Sequence, residues 1–222
     1  MDRHEHWNSI YQAKAMTDVS WFESDPQISL ELINTASSSH GRVIDVGGGA
    51  SRLVDRLVAA GFESVTVLDI SEIALEHAKA SLGAQATQVH WIVGDICQIA
   101  ELPPCDVWYD RAVFHFLTEP NDRWKYVNLV ARTVRIGGHV IIGTFAVDGP
   151  LKCSGLEVCR YDAGTLSHEL GPQFKLVREL SYTHLTSTSK PQQFFFGVFE
   201  LLPESMASTI GSESRAASDS ST

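Results

Sequence analysis

The chain is short of positive charge. Its 17 Lys and Arg stand against 27 Asp and Glu, a formal net charge of −10. No segment gathers Lys and Arg into a stripe, which argues against sequence-independent binding to nucleic acid or to an anionic membrane surface. Long apolar runs are also missing, and nothing approaches the roughly 18 residues of a membrane span. The opening MDRHEHWNSIYQ lacks the cationic start and apolar centre of a secretory signal, so a cytoplasmic protein is expected. Cysteine is scarce: Cys97, Cys105, Cys153 and Cys159 form no CxxC pair, which speaks against a disulfide framework or a structural zinc site. The nine histidines are scattered; His4 and His6 could catch a metal in a purified sample, but no metal site is expected. Internal repeats are absent. What remains is ordinary globular composition, 44% apolar and 20% charged over 222 residues, enough for one well-buried domain.

From Val43 onward, short apolar runs alternate with helical patterns. VIDVG reads as a first strand, and Ser51 as the cap of a helix running to Ala60, ended by Gly61. Glycine takes the left-handed conformation after a helix without a Cβ penalty. SVTVLDI is a second strand, followed by a helix from Ser71 to Leu82; VHWIVGDI is a third and DVWYDRA a fourth. A helix containing Trp124, Tyr126, Val127 and Val130 comes next, broken by Gly137-Gly138, before a fifth strand, HVIIGTFA. Alternation of this kind implies a mostly parallel sheet covered by helices on both faces. After a short helix from Asp162 to Leu170, FKLVRELSYTHL and QQFFFGVFEL are separated only by the polar TSTSKP. That gap permits a hairpin but not a crossover helix, so the sheet should end in an antiparallel pair. Residues 203–222, rich in Ser and Thr and without apolar periodicity, read as a disordered tail.

The chemistry concentrates around VIDVGGGAS, Val43 to Ser51. A dinucleotide fold uses GxGxxG, whose third glycine lets the helix pack closely on the strand and whose helix N-terminus faces a pyrophosphate. Here Arg52 replaces that glycine, and Asp45 stands two residues before Gly47. A carboxylate there would repel a pyrophosphate but suits an ammonium and a sulfonium, the methionine half of S-adenosylmethionine (SAM). Asp69 closes the second strand, where a carboxylate accepts hydrogen bonds from ribose hydroxyls. Asp95 closes the third, where it could accept from an adenine amino group. Asp69 could instead cap the helix near Ser71, and Asp95 could close a turn. Three acids at successive strand ends, where open α/β sheets bind ligands, favour SAM over NAD.

VIDVGGGAS, VTVLDIS, VGDI and DVWYDRAVFHFL, in this order, resemble motifs I to IV of the class I SAM-dependent methyltransferases, in their small single-domain type 12 branch. The resemblance spans about residues 5 to 201. It implies a Rossmann-like seven-stranded sheet of order 3-2-1-4-5-7-6 with strand 7 antiparallel, within a domain of residues 1–202. It further implies that Asp45, Gly47, Gly48 and Gly49 border the methionine moiety. Asp69 with Ile70 would hold the ribose, and Asp95 with Ile96 would frame the adenine. The leading segment 1–40 would fold over the cofactor, with Tyr11 and Trp21 as contacts; the other reading is a helix packed by its aromatic stripe.

Methyl transfer is an in-line displacement, helped mainly by holding donor and nucleophile in position. A general base is needed only for an acceptor that keeps its proton. The candidates follow the fourth strand: His115 as a base, set against packing between Phe114 and Phe116, and Arg111, contacting a carboxylate of cofactor or substrate or pairing with a nearby acid. Cys153 and Cys159 raise an arsenite methyltransferase reading, which would need a spatial cluster of thiols. The expectation is a SAM-dependent methyltransferase, monomeric or weakly dimeric, acting on a small molecule. The alternatives are a protein-lysine methyltransferase, a non-catalytic SAM-binding regulator, and an NAD-dependent oxidoreductase, the last disfavoured by Arg52 and Asp45.

Overall fold

A computed structural model describes residues 2–37 and 39–205. The expected tail therefore lies, from residue 206 onward, outside the described residues. Two helices, α1 (Arg3–Ala13) and α2 (Gln27–Ala36), precede the first strand. Then follow β1 (Arg42–Val46), α3 (Leu53–Ala60), β2 (Ser64–Asp69), α4 (Glu72–Leu82), β3 (Val89–Val93), β4 (Cys105–Arg111), α5 (Pro120–Thr133) and β5 (Val134–Phe145). A two-stranded hairpin, β6 (Lys152–Cys153) and β7 (Leu156–Glu157), leads to α6 (Ala163–Leu170), β8 (Phe174–Leu185) and β9 (Pro191–Leu201). The main sheet has the order β3-β2-β1-β4-β5-β9-β8. Allowing for the two hairpin strands in the numbering, this is the expected order. β1 to β5 pair in parallel, and β9 runs antiparallel to both β5 and β8.

The period-two alternation of the strands sorts the core into two layers. Ile44, Val46, Trp108 and Val140 face α5 and α6, where Tyr126, Leu129, Val130 and Leu166 meet them. Val43, Val65, Val67 and Ile141 face the opposite way and pack with Leu32 and Ile33 of α2, Leu53 and Leu57 of α3, and Leu75 of α4. Each such aliphatic side chain contributes about 1.5–3 kcal/mol by leaving water. Local capping fixes the ends. Asp162 and Thr165 form a reciprocal capping box that starts α6, and Ser71 accepts from the Ala74 N–H at the head of α4.

Three boundaries differ from the sequence expectation. α3 begins at Leu53 with Arg52 in the cap position, one residue later than a Ser51 cap implies; the Ser51 hydroxyl accepts from the Leu53 N–H at 3.0 Å. β3 stops at Val93, so Gly94 to Ile96 form a turn beyond it. Gly137-Gly138 does not break α5. The helix has already ended at Val134, which is extended (φ −75°, ψ 136°), and both glycines lie inside β5. The β4–β5 register shifts between Cys105 and Val107, and Gly137 takes up the irregularity with φ +77°. A Cβ on Gly138 would sit 2.8 Å from the Arg135 carbonyl oxygen and 2.9 Å from that of Asp106, so glycine is needed for close backbone approach and not as a helix stop.

Candidate functional site

The C-terminal ends of the strands open into a cavity of about 110 Å³. It runs across the sheet from β3 to β9. Gly94, Asp95 and Ile96 line it beyond β3, Leu68, Asp69 and Ile70 at β2, and Val46 and Gly47 at β1. Arg111, Ala112 and Val113 continue the wall past β4, Phe145 past β5, and Gln192 and Phe194 from β9, with Cys153 of the hairpin. Trp7, Tyr11 and Trp21 supply the roof. A smaller adjoining cavity shares Tyr11, Trp21, Gly47 and Arg111 and reaches Asp45 and Gly48.

The glycine turn shapes the floor. Gly47 and Gly49 have φ of +68° and +45°, and a Cβ on Gly47 would lie 2.1 Å from Val113 Cγ2. The Gly47 N–H donates to the Leu68 carbonyl at 2.7 Å, tying the turn to β2. Gly48 comes close to Asp45, whose Oδ2 is buried with no hydrogen-bond partner. Burial, with repulsion from Asp69 and Asp110 and partial relief from Arg111, pushes the Asp45 carboxyl up to about 7. A buried acceptor without a donor is costly, and an incoming ammonium would satisfy it. On that ground the site fits the aminocarboxylate end of SAM.

Asp69 is also buried and raised to about 6 by desolvation, which outweighs its backbone hydrogen bonds, among them the Ser71 N–H at 2.7 Å. It holds the backbone just ahead of α4, whose cap is Ser71, and at the same time it lines the cavity at β2. Asp95 also closes its turn, accepting from the Cys97 N–H at 2.9 Å, while its second oxygen meets Arg3 at 3.4 Å. The two readings of each acid are thus compatible rather than exclusive. Ile70, Ile96 and Arg111 line the same cavity; Gly49 stands beside it, where an added Cβ would lie 2.8 Å from the Tyr11 hydroxyl.

A buried hydrogen-bond chain holds the β4 end in place. Trp108 Nε1 donates to the Tyr126 hydroxyl at 2.8 Å, which donates to Asp110 at 2.6 Å, and Asp110 accepts from the Val113 and Phe114 N–H groups. This turn keeps Ala112, a cavity residue, at φ +70°. Such a conformation is strained for an L-residue and is held by its surroundings.

Arg111 is not paired with its neighbour Asp110. It donates to the Trp21 carbonyl at 2.9 Å, pairs with Glu23 at 3.0 Å and lies over the Phe194 ring at 5.1 Å. His184 joins this group: its Nε2 donates to the Ser20 carbonyl at 2.7 Å, leaving Nδ1 to face Arg111 and Glu23. Segment 20–23 is thereby fastened to β4 and β8, and its Trp21 meets Trp7 and Tyr11 edge to face. From the other side, α1 is anchored by Arg3 to Asp95 and Asp122 and by Asn8, which accepts from the Ser71 hydroxyl at 2.6 Å.

His115 does not come to the cavity. It is fully buried, accepts from the Phe145 N–H at 3.3 Å, and its Nε2 is enclosed without a partner. Desolvation and the Arg111 charge push it down to about 3, so it is neutral and a weak base. The thiol cluster needed for an arsenite reading is absent too. Cys97 and Cys105 pack in the α5 layer and Cys153 in the opposite one, and no group of three metal-binding side chains occurs among the described residues. Sequence reasoning did not find Phe145, Gln192 and Phe194 in the cavity, nor Glu23 and His184 beneath its roof. The only early signal was the aromatic run in QQFFF.

Residues 43–138 match the model of a methyltransferase domain family. A mouse eEF1A lysine and N-terminal methyltransferase is 21% identical over 95 residues, covering 43% of this chain and 14% of that protein, so the chain spans a small part of that relative. Among solved structures, one described for the conversion of a disulfide bond into a thioacetal group during echinomycin biosynthesis superposes with a TM-score of 0.73 at 17% identity, over 97% of this chain and 99% of the other. A SAM-dependent methyltransferase from Anabaena variabilis gives 0.71 at 13%, over 90% and 96%. The N-methyltransferase NodS from Bradyrhizobium japonicum, solved with S-adenosyl-L-homocysteine, gives 0.67 at 16%, over 90% and 99%. No helix among the described residues is long and apolar enough to cross a membrane. The domain match falls on the strands that carry the glycine turn and the acidic strand ends, so residues 43–138 are similar to a methyltransferase domain, and the solved structures share the fold of the whole chain.

Proposed function

We propose that the protein is a class I SAM-dependent methyltransferase that acts on a small molecule. The observation that carries the reading is the half of the cavity beyond the donor site. Over β4, β5 and β9 it is walled by Phe116, Phe145 and Phe194 and roofed by Trp7 and Trp21, a chamber suited to a compact apolar acceptor. In this reading Asp45 with the Gly47 to Gly49 turn receives the methionine end of SAM. Asp69 and Ile70 take the ribose, Asp95 and Ile96 the adenine, and Arg111 holds the roof. Residues 1–40 act as a lid over one domain ending near residue 202, in a cytoplasmic enzyme working as a monomer or weak dimer.

A protein-lysine acceptor is the second reading, favoured by the partial match to the mouse lysine and N-terminal methyltransferase. A lysine ammonium would look for a carboxylate, and Glu23, next to the roof segment, is already paired with Arg111. A regulator that binds SAM without transferring it is the third. Transfer of label from methyl-labelled SAM into a cell extract, separated into protein and small-molecule fractions, distinguishes them. Label in the small-molecule fraction supports the proposal, label in protein replaces it with the second reading, and binding without transfer leaves the regulator.

A further inference from the structure

We infer that Gln192 selects the acceptor, pairing its side-chain amide with an uncharged group that both donates and accepts a hydrogen bond, a carboxamide or a lactam. The inference rests on the small-molecule reading and names the class of acceptor that this end of the cavity fits.

Gln192 and Gln193 stand side by side at the start of β9, and strand alternation turns them to opposite faces. Gln193 is engaged in the sheet, its Oε1 accepting from the Thr183 hydroxyl at 2.8 Å. Gln192 shares a face with Phe194, which stands opposite Phe145 of β5 and Tyr182 of β8. It is half-buried and lines the cavity, and its amide has no hydrogen-bond partner among the described residues. Its place sets it apart from the methyl donor. In the proposed reading SAM lies over β3, β2 and β1. In the sheet order β9 stands beyond β1, β4 and β5, about 14 Å from β1 at ~4.8 Å per strand. What reaches Gln192 is then the acceptor, at its end away from the methyl.

The surroundings decide what kind of group that end carries. A glutamine amide presents N–H donors and a carbonyl acceptor side by side. The charges near it are already matched. Arg111, which lies over the Phe194 ring, pairs with Glu23 at 3.0 Å. His184, the cross-strand partner of Gln192, donates through Nε2 to the Ser20 carbonyl and turns Nδ1 to that ion pair. A carboxylate would bring an uncompensated charge against the Phe145 and Phe194 rings and set one of its oxygens against the Gln192 carbonyl. An ammonium would find that carbonyl and, close by, the Arg111 cation. A carboxamide answers donor and acceptor together and carries no charge to desolvate. Seating the acceptor displaces water from Gln192, so a compound without such a group leaves the glutamine amide unpaired, and that loss discriminates against it.

The test uses the full chain saturated with S-adenosylhomocysteine and a set of probes built on one ring: benzamide, benzoate, benzylamine and ethylbenzene, each titrated by ligand-observed NMR. Benzamide should bind about tenfold more tightly than the others, the scale of a pair of net hydrogen bonds. Gln192→Leu, similar in size and unable to hydrogen-bond, should erase that advantage, while ethylbenzene binds as before and calorimetry shows unchanged affinity for SAM. Gln192→Glu keeps the shape and exchanges the donors for a charge, so benzylamine should overtake benzamide, a swap that lost packing does not produce. The inference is overturned if benzamide fails to bind the wild type, or if any other probe binds it equally well. It is also overturned if Gln192→Leu binds benzamide as the wild type does, or if that variant binds SAM more weakly, which would make Gln192 a donor-site residue. If any of these occurs while the extract experiment puts label in small molecules, this inference fails and the small-molecule reading stands. Label in protein removes both.

Discussion

Asp45→Asn should make the ligand-free protein more stable and the SAM-bound protein less so. The wild-type carboxyl is buried, sits near Asp69 and Asp110, and is raised from 3.8 to about 7. Below pH 4 it is protonated in both folded and unfolded chains and contributes no pH dependence. Between about pH 4 and 7 the unfolded chain has released this proton while the folded one still holds it. Stability therefore falls as pH rises through this window and levels off above it. The span from 3.8 to about 7, at ~1.4 kcal/mol per pH unit, sets the cost of the ionised Asp45 at about 4 kcal/mol above pH 7. Since the three acids titrate as a coupled set, the gain that belongs to one substitution is smaller, about 1–3 kcal/mol. Asparagine has nearly the same shape and no charge, so the variant should match the wild type near pH 4 and exceed it increasingly up to pH 8. SAM, in contrast, should stabilise the wild type by RT ln(1 + [L]/Kd) and the variant far less. Urea unfolding at pH 4, 6 and 8, with and without SAM, reads both effects. A gain that does not change with pH, or an Asp45→Asn protein that responds fully to SAM, would refute the argument that this acid is held at a cost in order to meet a cation.

Other perturbations test the roof and the turns. Glu23→Ala leaves Arg111, which is only 12% exposed in its side chain, without its ion-pair partner; a loss of about 3–5 kcal/mol is expected on breaking a buried pair, with changed Trp21 fluorescence. The control is Arg178→Ala, whose exposed pair with Glu31 should matter by less than about 1 kcal/mol. Ala112→Gly should be neutral or stabilising in thermal melts, because φ +70° is a conformation that glycine adopts at about 1 kcal/mol less strain than alanine. Gly47→Ala should weaken SAM and destabilise by about 1–3 kcal/mol, since its Cβ would collide with Val113 at 2.1 Å; unaltered calorimetric titration with SAM would mean that the turn yields easily.

Much of the fold could be read along the chain because the signals are local. Strand and helix periods, Gly61 as a left-handed C-cap and the short gap between β8 and β9 each act over a few residues. The Gly137-Gly138 pair misled because a glycine pair looks alike as a helix stop and as a strand bulge. Only the β4–β5 register, formed by residues about thirty positions apart, tells which it is. The same division runs through the site. Asp45, Asp69 and Asp95 each end a strand or stand just past one, so their shared location follows from topology alone. The Arg111, Glu23 and His184 cluster joins residues 88 and 73 positions apart, and no local pattern announces it.

That division explains why the donor could be named early and the acceptor could not. SAM is charged at its methionine end and polar at its ribose. The groups that answer it are buried acids at strand ends, which are rare in a core and conspicuous in a sequence. The rest of the cavity is built from the residues that any core would use. Phe194 enters it because β9 pairs antiparallel with β5 and sets Phe194 opposite Phe145; shifted by one residue, its ring would face the other layer. Nothing distinguishes Phe194 in sequence from Phe195, which packs in the α5 layer. Which side chains reach the cavity thus depends on strand register and packing. His115 shows this most plainly. It is close in sequence to the cavity wall and of the right type for a base, yet it is fully buried against the Phe116 and Phe145 rings, accepting from the Phe145 N–H.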